Sequence, residues 1–331
     1  MSEPRLRDGR SWRFDAPVVT CAFDADGTLA FALGDGTLRT QAAEAAEIQT
    51  VEAHKGAILS LTAHPQGGFL TGGDDGRLIR THADSTRQEL AFVKSRWIEN
   101  VAVSADTGLI AYTAGKSAII LDGNESTTLQ HASTAAGVVF DPKGRRIAVA
   151  RYDGASLWWA KAADQQPKQL QWKGSHLGVT WSPDGRFLVT TMQENALHGW
   201  RIEDAADMRM SGYPSKVKSW AWDRRGRTLF TSGATRVVGW SFSGRNGPMG
   251  REPMELGPER EALVQVVAAH PSDDIIAAGT ADGTVWLESI GDPGATFLLL
   301  DGAKITALAF SPDGAHLALG AEDGYAAVVP L

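Results

Sequence analysis

A chain of 331 residues with 43% apolar residues, 11 Trp and 36 Gly can fill a large core and make many tight turns, either as one large all-β domain or as two average ones. Its apolar runs are only a few residues long, which excludes a membrane-spanning helix, and a net charge of −7 argues against broad nucleic-acid binding, which needs clustered Lys and Arg. The lone Cys21 excludes an internal disulfide framework and a thiolate metal cluster. The opening stretch MSEPRLRDGRSWRF carries charge and no apolar segment, so it reads as mature protein rather than as a signal peptide. The expected location is the cytoplasm.

Internal similarity organises the rest. In chain order the copies are VTCAFDADGTLAFAL, LSLTAHPQGGFLTGG, ENVAVSADTGLIAYT, AGVVFDPKGRRIAVA, LGVTWSPDGRFLVTT, KSWAWDRRGRTLFTS, QVVAAHPSDDIIAAG and TALAFSPDGAHLALG. The Ser, Asp or His after the apolar pair anchors each copy: Asp24, His64, Ser104, Asp141, Ser182, Asp223, His270 and Ser311. Successive anchors stand 40, 40, 37, 41, 41, 47 and 41 residues apart. Six residues before them lie Val18, Ile58, Ile98, Ala135, His176, Val217, Val264 and Ile305, a column that is apolar except at His176. Such a column arises when one strand of every unit buries the same position.

Each copy continues as a hairpin. An SPDG-like turn leads into an alternating strand, then into a second turn such as Asp75-Gly76, Asp153-Gly154, Asp282-Gly283 or Asp323-Gly324, where Gly accepts the positive φ that a tight hairpin needs. A third strand follows, ending three times in Trp (Trp159, Trp200, Trp240), and segments such as Glu47 to Ala53 and Gln169 to Lys173 leave room for a fourth. Four short strands every 40 or so residues is the β-propeller signature.

The unit resembles the WD repeat, with its apolar columns, FSPDG turn, DG turn and terminal WD, over residues 10 to 331. The terminal dipeptide is degenerate here: Trp159-Ala160, Trp200-Arg201 and Trp240-Ser241 stand in its place. The resemblance implies one closed all-β propeller of four-stranded antiparallel blades. Its repeats span approximately 15–52, 53–92, 93–130, 131–171, 172–211, 212–258, 259–300 and 301–331, and residues 10–14 close the last blade from outside. Eight blades are favoured; seven is the alternative, if the turn-poor third copy forms no blade of its own. The resemblance further implies that His54 bonds to Asp75 and His131 to Asp153 within their blades. Its expected work is that of a non-catalytic scaffold for a protein or peptide.

Candidate contacts flank the apolar column, on the narrow face that the resemblance places near the central pore. They are Trp97, Glu99, Lys216, Lys218 and Lys304, joined on the same face by Tyr152 and Gln193, just before the second turn, and by Arg260, before copy seven; aromatic and charge together are the mix that binding hot spots favour. Lys216 and Lys218, two apart on one expected strand, would form a basic arc with Lys304 and Arg260, suited to an acidic partner segment. The expectation is a monomer with no cofactor, no nucleic acid and no membrane. The alternative function is a propeller enzyme or a binder of a small ligand or metal at the axial pore, for which only Glu99 and His176 stand out. His176 itself reads as a buried, hydrogen-bonded residue or as a ligand. Asp24-Ala25-Asp26-Gly27 reads as a hairpin turn rather than a calcium loop. Ser243 to Arg260, the one long insertion, reads as an exposed loop or as a partner-contacting arm.

Overall fold

The computed structural model describes residues 9–43, 45–162 and 166–331. Residues 1–8, most of the stretch read above as a mature start, lie outside the described residues. Among the described residues thirty strands are formed, from Arg10–Arg13 to Tyr325–Pro330, and the fold is an all-β propeller. The chain divides into two compact units, Glu52–Gly212 and the remainder from either end, Met1–Val51 with Tyr213–Leu331.

Among the described residues hydrogen bonding gives seven sheets, six of four strands and one of six. Eight copies therefore do not give eight separate sheets. The difference lies in copies four and five, where Lys168–Trp181 passes from one copy into the other without a break, pairing with the hairpin Arg146–Trp159 on one side and with Phe187–Met192 on the other. At the tip of that hairpin, Asp153 and Gly154 take φ of 62° and 125°. The chain still doubles back there, because the Ala160 N–H donates to the Arg145 carbonyl at 2.9 Å. The turn-poor third copy, by contrast, forms its own four-stranded sheet, with Gly115 at φ 60° supplying the tip that Asp-Gly supplies elsewhere.

The anchor residues explain why each copy turns where it does. All eight are buried, and each places a short acceptor under its own turn. Asp24 Oδ1 accepts from the N–H groups of Asp26 and Thr28, Asp141 Oδ1 from Arg145 and Arg146, and Asp223 Oδ1 from Arg227 and Thr228. Ser182 Oγ accepts from Phe187 N–H and Ser311 Oγ from His316 N–H, both at 2.9 Å. His64 Nδ1 accepts from Gln66 N–H, and His270 Nδ1 from Asp273 N–H. A buried N–H without an acceptor costs about 1–3 kcal/mol, so only residues with a short acceptor suit this place.

The column six residues upstream is buried in all eight copies, including His176. Six copies share a β-bulge just after it, for example between Val18 and Thr20 and between Ile305 and Ala307. Neighbouring copies are then stapled through glycines. A Cβ on Gly144 would stand 2.1 Å from Ser104 Oγ, and one on Gly314 2.2 Å from the His270 ring. The cores lie between consecutive sheets, as where Phe31 and Leu33 of copy one meet Ala307 and Ala318 of copy eight.

The chain start closes the last blade. Arg10–Arg13 pairs antiparallel with Tyr325–Pro330, in the register Arg10↔Val328 to Arg13↔Tyr325. Trp12 and Phe14 each set a ring within 6 Å of Phe31, at 5.8 and 5.9 Å between centroids. Gly324 fits under this crossing because a Cβ there would meet the Phe14 carbonyl at 2.2 Å. The insertion after copy six is only partly a loop, since Met254–Leu256 within it pairs with Val237–Gly239 as the outer strand of its sheet.

Two outcomes follow from these contacts. Asp223→Ala removes the acceptor of two turn N–H groups and lowers stability by roughly 2–4 kcal/mol, whereas Asp223→Ser, which keeps one acceptor, loses about half of that. Urea unfolding of the two variants measures it, and equal midpoints would contradict the capping argument. Removing residues 1–14 bares the edge of the last blade and produces dimers or aggregates on size exclusion. A truncated chain that stays monomeric with an unchanged Tm would show that this strand does not close the blade.

Candidate functional site

In the unit Glu52–Gly212, the sequence-selected residues Glu99 and Tyr152 come together. They line a cavity of about 700 Å3 with Asn100, Ser133, Ser175 and His176. The wall is polar and ordered: Asn100 Nδ2 donates to the Ala136 carbonyl at 2.9 Å, and Tyr152 N–H donates to Ser133 Oγ at 3.1 Å. Tyr152 sits at the hairpin tip and is 54% exposed; Trp97, just before the strand Ile98–Val103, is 59% exposed. Glu99 is exposed and carries no ion pair among the described residues, and Gln193 is exposed beside the Ser175 turn, its N–H on the Ser175 carbonyl. Asn100 and Ser133 were invisible as candidates because an isolated polar residue in a strand or turn has no periodic signature.

His176 in that wall is a satisfied structural residue. Its Nε2–H donates to the Trp172 carbonyl at 3.0 Å, and its Nδ1 lies 2.7 Å from Thr190 Oγ1. Behind it Trp172 stacks on His198 at 4.0 Å and 16°, with Trp200 edge-on at 4.8 Å. Burial pushes the pKa of both histidines down, that of His198 to about 3, and His176 and Arg209 push His198 the same way.

The blade pairs divide. His54 Nδ1 bonds to Asp75 Oδ1 and its Nε2 meets Thr71 Oγ1, both at 2.9 Å. The counterpart in copy four is not made: Asp153, held at positive φ, accepts instead from the Gly174 N–H at 3.2 Å, and the His131 ring packs edge-on against Trp158. In copy six, Tyr213 fills the position of the missing His. Its hydroxyl takes the Trp240 Nε1–H and meets Thr231 Oγ1, each at 2.6 Å, and burial raises its pKa to about 12.

The other unit holds the expected basic arc, with less free charge than its sequence suggests. Lys216 and Lys218 precede the strand Trp220–Trp222 rather than lying on it. The Ser232 hydroxyl takes the N–H groups of Lys218 and Ser219 there, replacing ladder partners, so same-side alternation does not apply. Lys218 is exposed and Lys216 half-buried. Arg260 is ion-paired with Asp282 at 2.8 Å, and Lys304 with Glu322. Burial opposes the Asp282 charge, but hydrogen bonds from Arg260, Thr280 and Thr284 outweigh it and hold its carboxyl well below the usual range.

Among the described residues no group of three or more His, Cys, Asp or Glu is placed to hold a metal, and no helix is long and apolar enough to cross a membrane. Cys21 is buried, and burial pushes its thiol up to about 12.

The histidine cluster makes stability depend on pH. Unfolded His198 titrates near 6.5 and the folded one near 3, so below 6.5 the unfolded chain binds protons that the fold refuses, and stability falls with pH. The slope contributed is about 1.4 kcal/mol per pH unit. Between pH 6.5 and about 4.5, above the carboxylate range, His198→Phe should flatten the curve of Tm against pH. An unchanged slope would show that His198 is not held neutral.

A family model described as "WD domain, G-beta repeat" matches residues 46–79 and 296–328, that is, the second copy with its His54 and Asp75 and the last copy. The THO complex subunit 3 of Arabidopsis thaliana is 22% identical over 197 residues, covering 58% of this chain and 60% of that relative's length. Among solved structures, the crystal structure of the computationally designed Ika8 protein superposes with a TM-score of 0.76 over 96% of this chain and 98% of the other, at 17% identity. Two copies match the repeat model, all eight are built on one anchored plan, and the fold is a β-propeller.

Proposed function

We propose that this protein is a non-catalytic interaction scaffold that takes a protein or peptide against the loop ends of copies three to five. The observation that carries the reading is the pair of exposed aromatic side chains, Trp97 and Tyr152, on a unit that buries Trp181 and Trp200 almost completely. A large apolar side chain left in water beside a cavity is where a partner gains most by burial. Glu99 and Gln193 supply polar contacts around it. In the other unit, taken by itself, the exposed Lys218 offers positive charge to an acidic segment, while Arg260 and Lys304 contribute less because their partners already neutralise them. Chemistry at the cavity would have to use Glu99 and His176, and both nitrogens of His176 are already engaged. The buried, unreactive Cys21 suits the cytoplasm as the place of work.

The test is capture of the natural partner by the full chain. Trp97→Ala should speed dissociation roughly tenfold or more, and Lys216→Glu with Lys218→Glu should weaken capture and its salt dependence, each with the melting curve unchanged. Recovery of the same partner at the same rate by both variants would remove this face as the binding site.

A further inference from the structure

The hairpin of copy four presents different chemistry at its two ends. Tyr152 and the Glu99 cavity lie at its tip, while the Arg145–Ala160 bond closes its other end, roughly 20 Å away along strands of about six residues. At that far end a second cavity, of about 370 Å3, is lined by Thr107, Gly144, Arg145, Trp159 and Lys161. Its floor is fixed by the staple of Gly144 against Ser104 and Thr107, so the turns of copies three and four form one surface.

Three observations describe this surface. Trp159 is 53% exposed; it stands one residue past Trp158, which packs against the core at the place that the buried Trp200 and Trp240 fill in copies five and six. Arg145 is exposed, and its guanidinium carries no hydrogen bond or ion pair among the described residues; its neighbour Arg146 is tied to Asp141 at 2.8 Å. Lys161 pairs with Asp122 at 3.1 Å, but both side chains are more than half exposed, and such a pair contributes little and exchanges readily. Exposed Lys143, in the same turn as Arg145, adds a third cation. On a chain of net charge −7, an aromatic plate flanked by three cations, two of them without an ion pair among the described residues, is a local reversal of sign.

We infer that this end of copies three and four is a second docking site, for an acidic segment of a protein partner. One apolar side chain of that segment lies on the Trp159 ring, and its carboxylates engage Arg145 and Lys161, the latter by displacing Asp122. Arg145 offers a planar fork that fits a carboxylate with two parallel hydrogen bonds. A nucleic acid is disfavoured because three cations neutralise too few phosphates on an acidic chain. The site is separate from the Trp97 and Tyr152 face, so one scaffold can hold two partners.

Fluorescence anisotropy of the full chain tests this with a fluorescein-labelled peptide in which Leu is flanked by Glu. The same peptide with Lys for Glu, and labelled oligothymidylate, are the competing probes. The parent should bind the Glu peptide in preference to both. Trp159→Ala should weaken binding about tenfold with its salt dependence kept, and Arg145→Glu with Lys161→Glu should abolish it and create affinity for the Lys peptide. All three side chains are exposed, so circular dichroism and Tm should not change. A parent that fails to bind the Glu peptide, that binds the Lys peptide or oligothymidylate as tightly, or whose variants bind like the parent, overturns the assignment.

Discussion

The fold depends on a buried acceptor beneath each inner hairpin turn. A hairpin that enters a packed core carries N–H groups out of water, and an unbonded one costs more than most single contacts return. Asp24, Asp141 and Asp223 meet two such groups apiece with one carboxylate oxygen, and Ser182 and Ser311 meet one with a hydroxyl. His270 goes further: its Nδ1 serves its own turn while its Nε2–H donates to the Gly314 carbonyl of the next copy, at 3.0 Å. With the turns fixed in this way, the apolar column beside them is buried in every copy, and the sheets stack through it.

This explains what could be read from the sequence. The anchors and the apolar column impose the same demand at the same place in each copy, so they show as columns and give the fold, the strand order within a copy and the closing strand Arg10–Arg13. The sheet count could not be read in the same way. Copies four and five share one sheet because Lys168–Trp181 passes from one to the other without a break, and no letter of that stretch announces it. The bond between His54 and Asp75 was legible, but its failure at His131 was not, because Asp153 turns toward Gly174 instead. Tyr213 was hidden because a phenol does the work of an imidazole, and only the hydroxyl partners reveal it.

The candidate surface was legible only in part. Glu99 was found because it flanks a column and Tyr152 because it precedes a second turn, and the fold brings them into one cavity. Arg260 and Lys304 were chosen for their charge, yet each has a carboxylate about twenty residues away in sequence that no local pattern announces. Trp159 was read as the close of a third strand, but the register puts Trp158 at the place of the buried Trp200 and Trp240 and leaves Trp159 on the outer side. A rigid repeat therefore leaves its functional information in the departures from the repeat: an aromatic not buried, a cation not paired, a polar residue in an apolar column.

Amide hydrogen exchange resolved to single residues tests the capped turn most directly. The N–H groups of Thr28, Arg146, Phe187, Thr228 and His316 sit in turns close to solvent, where unbonded amides exchange quickly, yet each is given to a buried anchor. The account predicts that these five exchange as slowly as the amides of the central strands. Exchange at the rate of exposed loop amides would contradict it.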